Sequence, residues 1–298
     1  MSQFAVNGLQ IEVETLGNPE HPAVLLIMGL GMQLIAWPEP LCSDLVQAGF
    51  YVLRFDNRDI GLSSKIETGA SLQLGLNVLR FMLHRPVRAP YSLDAMVDDS
   101  VGVLDALHLP AAHIVGVSMG GMIAQNLAAR YPQRCLSLAS IMSTTGKRCL
   151  PQASWKVRQL LIARPPRQAP LEQLVRHYQR LYLAIGSPGF PTPPELLRER
   201  LRISLQRNYC PAGTARQLLA VAAADDRSAL VARIAVPTLV LHGADDPLLP
   251  LAHGRDTART IGAAKLQVIA GMGHDLAPDL LPVLTPILLQ HLLANAKP

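Results

Sequence analysis

The sequence predicts an α/β protein in which a mostly parallel sheet has helices on both faces and carries an inserted helical cap. Two observations lead to this fold class. Short apolar runs alternate with helical stretches up to about residue 143, and the alternation resumes near residue 234. Between them lie helical patterns and proline-punctuated turns without strands. We therefore expect a main domain of residues 1–143 and 234–298, and a cap of residues 144–233.

Each element of the main domain has its own signal. The first predicted helix ends at Gly49, and the helix that begins at Gly120 stops before Pro132. Strands are predicted from apolar runs at residues 11–16, 23–28, 51–53, 112–115, 136–142, 238–241 and 266–269. Helices are predicted at residues 37–48, 93–107, 120–131 and 281–294.

The most informative stretch reads Gly-Val-Ser-Met-Gly at residues 116–120, between an apolar strand and a helix-forming run. A sharp turn of this kind holds its central residue in a strained conformation with the side chain facing outward. Side chains at positions 116 and 120 would collide where strand and helix approach most closely, which explains glycine at both. Ser118 is therefore predicted as a nucleophile. A glycine-rich turn with a bystander serine is the structural alternative.

Two later strands supply the expected partners of this serine. Asp246 follows the strand at residues 238–241, and His274 follows the strand at residues 266–269. Because the carboxyl ends of parallel strands meet at one edge of a sheet, the three side chains should lie together. His274 would then take the proton of Ser118 as a general base, while Asp246 orients the imidazole.

Alternatives exist close to these positions. Asp245 adjoins Asp246, but Asp246 suits the exposed crown of the turn better and is the acid that we favour. His242 and His253 lie near the same loop without metal-ligand spacing, so we expect no metal site. The pair at positions 98 and 99, Asp98 and Asp99, falls in a predicted helix and is interpreted as a solvated face.

A developing oxyanion needs fixed N–H donors. We expect one from Met119, which follows the nucleophile, and the other from Leu30, because the flanking Gly29 and Gly31 let the backbone approach the substrate. A segment at residues 71–83 has more apolar residues than one helical face holds. We hypothesise a mobile flap that lines an apolar acyl pocket, the alternative being a helix packed against the cap. Its partners in the pocket would be Met32, Trp37 and Met122.

The motifs in this order resemble the α/β-hydrolase superfamily and, more narrowly, the branch of aclacinomycin methylesterase and related bacterial carboxylesterases. The matching stretches are residues 26–29, 54–63, 115–120, 236–240 and 271–274. The resemblance implies a triad of Ser118, Asp246 and His274, with oxyanion amides on Leu30 and Met119. Many members have His where this chain has Met28 and Gly where it has Asp59, so the resemblance implies no particular substrate.

Composition fits a soluble enzyme. Hydrophobic residues make up 49% of the chain and aromatic residues only 4%, so the core should consist of Leu, Ala, Val and Ile. The first six residues have neither a basic region nor an apolar run, and we expect no signal peptide and a cytoplasmic location. Four scattered cysteines without a paired spacing fit a reducing compartment.

The charge of the predicted cap is uneven. Residues 147–233 contain 15 Lys and Arg against 5 Asp and Glu, whereas the whole chain has a net charge of +5. We favour a solvated outer surface for these basic residues. Steering of anionic substrates and peripheral docking on an anionic membrane are the alternatives. No recognition motif accompanies the charge, so nucleic acid is not expected as a partner.

Together these observations predict a serine hydrolase that cleaves carboxylic esters through an acyl-enzyme. Its partner would be a small-molecule ester, with an apolar acyl group favoured. The same triad can act on thioesters or C–C bonds or in perhydrolysis, and a non-catalytic ligand-binding protein on a hydrolase scaffold is the alternative of a different class. The predicted chemistry needs neither a metal nor an organic cofactor.

Overall fold

The computed structural model describes residues 1–67, 73–163, 165 and 169–296. Within these ranges the chain forms an eight-stranded sheet with the order β1-β2-β4-β3-β5-β6-β7-β8. The strands span Ser2–Val6, Leu9–Leu16, Ala23–Ile27, Tyr51–Phe55, Ala112–Val117, Cys135–Ile141, Thr238–Gly243 and Lys265–Ile269. Strands β1 and β2 pair antiparallel, as do β2 and β4, and the remaining pairs are parallel. The predicted α/β class with a mostly parallel sheet is confirmed.

Helices cover both faces of this sheet. In the described part of the chain, α1 to α11 span Glu39–Gln47, Leu74–Met82, Leu93–Ala106, Met119–Arg130, Trp155–Ile162, Leu171–Ile185, Pro194–Arg207, Pro211–Ala223, Ser228–Val231, Ala252–Ile261 and Leu281–Leu293. The four helices predicted from sequence correspond to α1, α3, α4 and α11, with ends shifted by one or two residues.

The core lies in two layers because alternate side chains of a strand point to opposite faces. Leu25 and Ile27 of β3 pack in the layer that contains α3 and α4. Val24 and Leu26 pack in the layer that contains α1 and α11. Since both layers are closed, β3 and β5 are buried along their whole length, which explains the continuous apolar sequence of β3 and the mostly apolar one of β5.

Strand β1 lies outside the predicted strands. It joins β2 through the two-residue turn Asn7-Gly8, where φ is +49° and +77°. Positive φ at both positions is the hairpin geometry that Asn-Gly favours, so the sequence did contain a signal for this pair. The strand itself is mostly exposed at the sheet edge and therefore has no apolar run.

The segment between β6 and β7, which we call the insert (residues 144–233), forms helices α5 to α9 and no strand in its described part. This agrees with the helical pattern of its sequence. The division of the chain into a main domain and a cap at these boundaries stays a prediction.

Candidate active site

Ser118 occupies the turn between β5 and α4. Its φ of 56° and ψ of −118° lie in a region that L side chains disfavour. The Ser118 N–H donates to the carbonyl of Ile141 at 2.9 Å, and the Ser118 carbonyl accepts from Ser143 Oγ at 2.8 Å and from the N–H of Met122 at 3.1 Å. These bonds hold the strained turn in place, with the serine side chain at its apex.

The two glycines of the motif lie where β5, α4 and β3 touch. A Cβ on Gly116 would stand 2.2 Å from the carbonyl oxygen of Gly120, and a Cβ on Gly120 would stand 2.0 Å from the carbonyl oxygen of Ile27. Neither distance is compatible with a side chain. The predicted steric reason for glycine at both positions is confirmed.

The structure brings together the three residues predicted from the strand ends. His274 follows β8, and its Nε2 lies 2.9 Å from Ser118 Oγ. Its Nδ1 lies 2.7 Å from Asp246 Oδ2, which follows β7. The imidazole thus joins a hydroxyl to a carboxylate in the arrangement that a general base requires.

The two adjacent carboxylates have different surroundings. The other oxygen of Asp246, Oδ1, accepts from the N–H groups of Leu248 and Leu249 at 2.9 and 2.8 Å. Burial alone would raise the pKa of Asp246, but His274 and the Leu249 amide outweigh it and hold that pKa below its ordinary value. Asp245 instead accepts from the N–H of Gly271 at 2.8 Å. Of the two, Asp246 is the one that contacts the imidazole.

The loop after β3 passes close to the serine. A Cβ on Gly29 would lie 3.3 Å from Ser118 Cβ, so this loop borders Ser118 directly. Met119 is the first residue of α4, and its N–H therefore has no acceptor within the helix. Both predicted oxyanion donors thus belong to segments that adjoin Ser118, and the roles of Leu30 and Met119 stay predictions.

Comparison with known proteins identifies the family. A family model described as alpha/beta hydrolase fold matches residues 22–279, which is most of the chain. The chain belongs to the α/β-hydrolase fold family. This membership agrees with the strand order, the turn at Ser118 and the positions of the three side chains described above.

Named relatives of this hydrolase include ester-cleaving enzymes. It is 29% identical over 286 residues to rhodomycin D methylesterase DnrP of Streptomyces peucetius, with 88% of each chain covered. It is 29% identical over 255 residues to 3-oxoadipate enol-lactonase 2 of Acinetobacter baylyi, covering 86% of this chain and 83% of that protein. A meta-cleavage product hydrolase from Pseudomonas fluorescens IP01 shares the fold, with a TM-score of 0.75 at 20% identity and coverage of 98% and 97%. The resemblance to the methylesterase branch is confirmed.

The three predicted pocket residues lie at different depths in the hydrolase. Met122 is on the first turn of α4, within one helical turn of Ser118, and is 9% exposed. Met32 is half-buried and packs against the core layer that contains Trp37. Trp37 is fully buried in that layer and offers no surface to a ligand in this structure. The pocket roles of Met32 and Met122 stay predictions.

The two histidines near the acid loop have structural partners. His242 Nε2 lies 2.7 Å from the carbonyl of Leu249 and 3.7 Å from Asp246 Oδ2, while His253 contacts Thr144 and the carbonyl of Pro151. Burial lowers the pKa of both His242 and His253, which favours neutral imidazoles. The described residues contain no group of three potential ligands arranged for a metal ion.

One prediction about charge is wrong. Asp99 does not lie on a solvated face: it is 1% exposed and accepts two hydrogen bonds from Arg58, at 2.5 and 2.7 Å. The reason is that α3 turns this side chain toward the loop after β4, where the guanidinium neutralises it. Asp98, one position earlier, accepts from the hydroxyl of Tyr131 at 3.0 Å.

Part of the positive charge of the insert also faces inward. Arg207 of α7 donates to Asp56 at 2.7 Å, and Arg216 of α8 donates to Asp59 at 2.9 and 2.7 Å. Both aspartates are completely buried. The preferred interpretation of the basic residues as a solvated surface therefore fails for these two arginines, which fasten the insert to the loop after β4. Other arginines, such as Arg202, do pair with glutamates at the surface.

Gln217 of α8 is a site residue that sequence reasoning missed. Its Oε1 accepts from the N–H of Gly31 at 2.9 Å, and its Nε2 donates to the carbonyl of Arg58 at 3.0 Å. The side chain is fully buried. It therefore connects the insert to the loop that contains Leu30. A buried glutamine on a helix gives no sequence signal, because its partners are backbone groups far away in the chain.

A second connection reaches the loop of His274. The hydroxyl of Ser187 donates to Asp275 Oδ1 at 2.5 Å and accepts from the N–H of Gly273 at 2.9 Å. The N–H of His274 itself donates to the carbonyl of Ile185 at 2.7 Å. Burial raises the pKa of Asp275, and the Ser187 hydrogen bonds offset only part of that shift. The residue after the histidine thus anchors the imidazole loop to the insert.

Proposed function

We propose that this chain hydrolyses carboxylic esters through an acyl-enzyme formed on Ser118. The observation that carries the proposal is the continuous path from Asp246 through His274 to the serine, with contacts of 2.7 and 2.9 Å. Relatives named methylesterase and enol-lactonase support the ester class. A further relative, 30% identical over 259 residues, is named poly(3-hydroxyalkanoate) depolymerase, which also describes an enzyme for ester bonds.

The proposed reaction has two halves. Ser118 Oγ attacks the ester carbonyl while its proton moves to His274 Nε2, and the tetrahedral oxyanion rests on the N–H groups of Leu30 and Met119. The C–O bond to the alcohol then breaks, and the alcohol leaves with the proton from His274. Water repeats the sequence on the acyl-enzyme: its proton goes to His274, the acid is released, and Ser118 regains its hydrogen. Asp246 stabilises the imidazolium in both halves.

The test compares wild type with Ser118→Ala on p-nitrophenyl esters from acetate to decanoate. We expect kcat to fall by about a million-fold, because residues of a triad act as a unit. Ser228→Ala is the matched control: its hydroxyl is buried without a hydrogen-bond partner among the described residues, on α9. A fluorophosphonate should label Ser118 in wild type, as seen by mass spectrometry.

The outcome also separates the alternatives. Folded wild type that neither turns over any of these esters nor takes the label would contradict the proposal and favour a binding role. Labelling of Ser118 without ester turnover would keep the nucleophile and direct the search to thioesters or C–C bonds. The chain length of the best ester would report the size of the acyl pocket.

A further inference from the structure

The proposed reaction makes no use of the outer side of α2. Helix α2 and the residue after it expose large apolar side chains, which we call the α2 surface. Their exposed fractions lie between 42% and 66%, and they are Leu76, Val78, Leu79, Met82 and Leu83. Soluble proteins rarely expose a contiguous apolar patch of this kind without a binding partner.

The apolar side of α2 faces outward, whereas the apolar side of a surface helix ordinarily faces the protein core. Among the side chains of α2 that the structure describes, the buried one is the polar Asn77, which is 4% exposed and accepts from the backbone N–H of Arg88 at 3.0 Å. At about 100° per residue, the members of the α2 surface fall on the side opposite Asn77. A helix on an ordinary protein surface buries its apolar side and exposes its polar side. The orientation of α2 therefore leaves its apolar side facing outward.

The chain segment that contains the α2 surface has basic residues and no acidic ones. Residues 68–93 contain no Asp or Glu, and they contain Arg80, Arg85 and Arg88. None of these arginines forms an ion pair with a residue that the structure describes. Nearby, the Arg148 guanidinium stacks on Phe81 at 5.5 Å and is paired with a carboxylate of the insert. Arg85, two residues beyond Leu83, thus adds positive charge at one end of this apolar surface, which fits a ligand that is itself apolar and anionic.

We propose that the α2 surface docks on a membrane surface that contains anionic phospholipids. The apolar side chains would enter the boundary between headgroups and acyl chains, and the arginines would meet lipid phosphates. The proposed contact is a peripheral one. No described helix is long and apolar enough to span a bilayer. This inference does not depend on the proposed esterase activity.

A second copy of the chain fits this surface less well. In a two-fold interface the same patch meets itself, so the α2 surfaces would bring Arg85, which follows Leu83 by two residues, close to Arg85 of the other copy. Like charges at short distance oppose such a contact, and the segment supplies no carboxylate to offset them. Anionic lipid headgroups would attract the positive charge that a second copy would repel.

The test is sedimentation of the full chain with phospholipid vesicles. One set contains equal parts of phosphatidylcholine and phosphatidylglycerol, and the other contains phosphatidylcholine alone. Wild type should bind the anionic vesicles, and the affinity should fall as salt is added. Leu79→Gln/Met82→Gln should weaken binding at least tenfold, on the order expected from the lost apolar insertion. Arg85→Gln should weaken it about fivefold.

The control is Val283→Gln/Leu293→Gln on α11, which alters two side chains of similar exposure, 41% and 52%. It should bind like wild type, and the Tm of each variant checks that it is folded. Equal binding to both vesicle types, no binding, or unchanged binding by the α2 variants would overturn the proposal. A dimer in sedimentation velocity that Leu79→Gln/Met82→Gln dissociates would overturn it in favour of a second copy. If the apolar variant does not fold, the arginine variant and the salt dependence of wild type decide.

Discussion

At Ser118 the backbone is held in a conformation that costs on the order of 1–3 kcal/mol. The neighbouring strand offsets part of this cost, because Ile141 at the end of β6 and Ser143 just beyond it bond the serine's own N–H and carbonyl. The end of β6 thus supplies no carboxylate, but it supports the backbone of Ser118. This support explains how the turn stays rigid while its side chain remains accessible.

The acid assignment predicts unequal effects of two adjacent substitutions. Asp246→Asn should lower kcat by about ten-thousand-fold, because an amide at this position would favour the wrong tautomer of His274. Asp245→Asn is the matched control and should change kcat little, since Asp245 bonds a backbone amide and not the imidazole. The measurement is steady-state hydrolysis of the best p-nitrophenyl ester. A severe loss in Asp245→Asn with a nearly silent Asp246→Asn would reverse the assignment.

Sequence reasoning selected the three side chains that the structure brings together because their placement follows from a general rule. Parallel strands end at one edge of a sheet, so Ser118, Asp246 and His274 can be selected from three strand-to-helix crossovers without any knowledge of side-chain contacts. Gln217 and Ser187 follow no such rule. Their partners are Gly31 and Asp275, which lie more than 80 positions away in the chain. Such contacts depend on how the insert packs, which no local pattern encodes.

At the scale of elements, the loop after β3 depends on two helices of the insert. Gln217 of α8 bonds Gly31, and Gln33 donates to the backbone carbonyls of Ser204 and Asn208 at 2.7 and 2.9 Å. A Cβ on Gly31 would lie only 2.9 Å from the side chain of a threonine on α8. The loop that contains Leu30 is therefore held by α8 and by the C-terminal end of α7, both in the insert.

Removing the Gln217 contacts should impair catalysis more than binding. Gln217→Met keeps a similar volume but loses both hydrogen bonds, so the Leu30 amide would no longer be fixed against the oxyanion. We expect kcat to fall by roughly tenfold to a hundredfold with little change in KM, because misplacement by about 1 Å is enough for such a loss. The measurement is kcat and KM on the best p-nitrophenyl ester.

The matched control for this variant is Gln179→Met on α6. Gln179 is also buried in the insert, but its amide donates to the carbonyl of Pro194 at 3.0 Å, within the insert itself. Equal losses in both variants would indicate general destabilisation of the insert. Gln217→Glu keeps an acceptor for Gly31 and should be milder than Gln217→Met if the role is one of positioning.

Helices and strands with a strong local sequence signal were predicted more accurately than those with a weak one. Helices α1, α3, α4 and α11 were predicted nearly to their ends because proline or glycine marks several of them and their apolar residues recur. Strand β1 was missed since an edge strand needs no apolar run, although Asn7-Gly8 marks its hairpin. The burial of Asp99 depends on Arg58 from another element, so helical periodicity alone assigned it to the wrong environment.

For the whole molecule, charge binds the two parts of the chain. The insert has an excess of basic residues and the remainder an excess of acidic ones, and two of the resulting pairs involve completely buried aspartates at their boundary. These pairs join Arg207 to Asp56 and Arg216 to Asp59. Removing one partner of a buried pair typically costs about 3–5 kcal/mol, because the other charge is left without compensation. Both pairs are therefore expected to contribute to the attachment of the insert.

Stability of the whole fold should decrease as the pH falls below about 6.5. Burial, with a smaller contribution from His291, lowers the pKa of His113 from 6.5 to about 4. Between these values the unfolded chain binds a proton at this position and the folded chain does not, so protonation stabilises the unfolded state. By about pH 5.5 the loss from His113 alone amounts to about 1 kcal/mol. Burial lowers the pKa of His242, His253 and His291 as well, which acts in the same direction.

The measurement is the free energy of unfolding in urea at about pH 7.5 and pH 5.5. In His113→Asn the difference between the two values should be smaller than in wild type by about 1 kcal/mol, whatever the variant's overall stability. His21→Asn, at an exposed position, is the control and should keep the wild-type difference. An unchanged difference in His113→Asn would show that this histidine titrates alike in both states.

The hydrogen bonds from the insert to both loops beside Ser118 set a limit on how new specificities can be engineered. Ser187 holds the loop of His274, and Gln217 holds the loop of Leu30. Exchanging residues 144–233 for the corresponding segment of a relative would replace helices α5 to α9 and, in the same step, remove these two supports. A productive chimera would have to keep Ser187 and Gln217, and with them Arg207 and Arg216, while the remaining positions of the insert are varied.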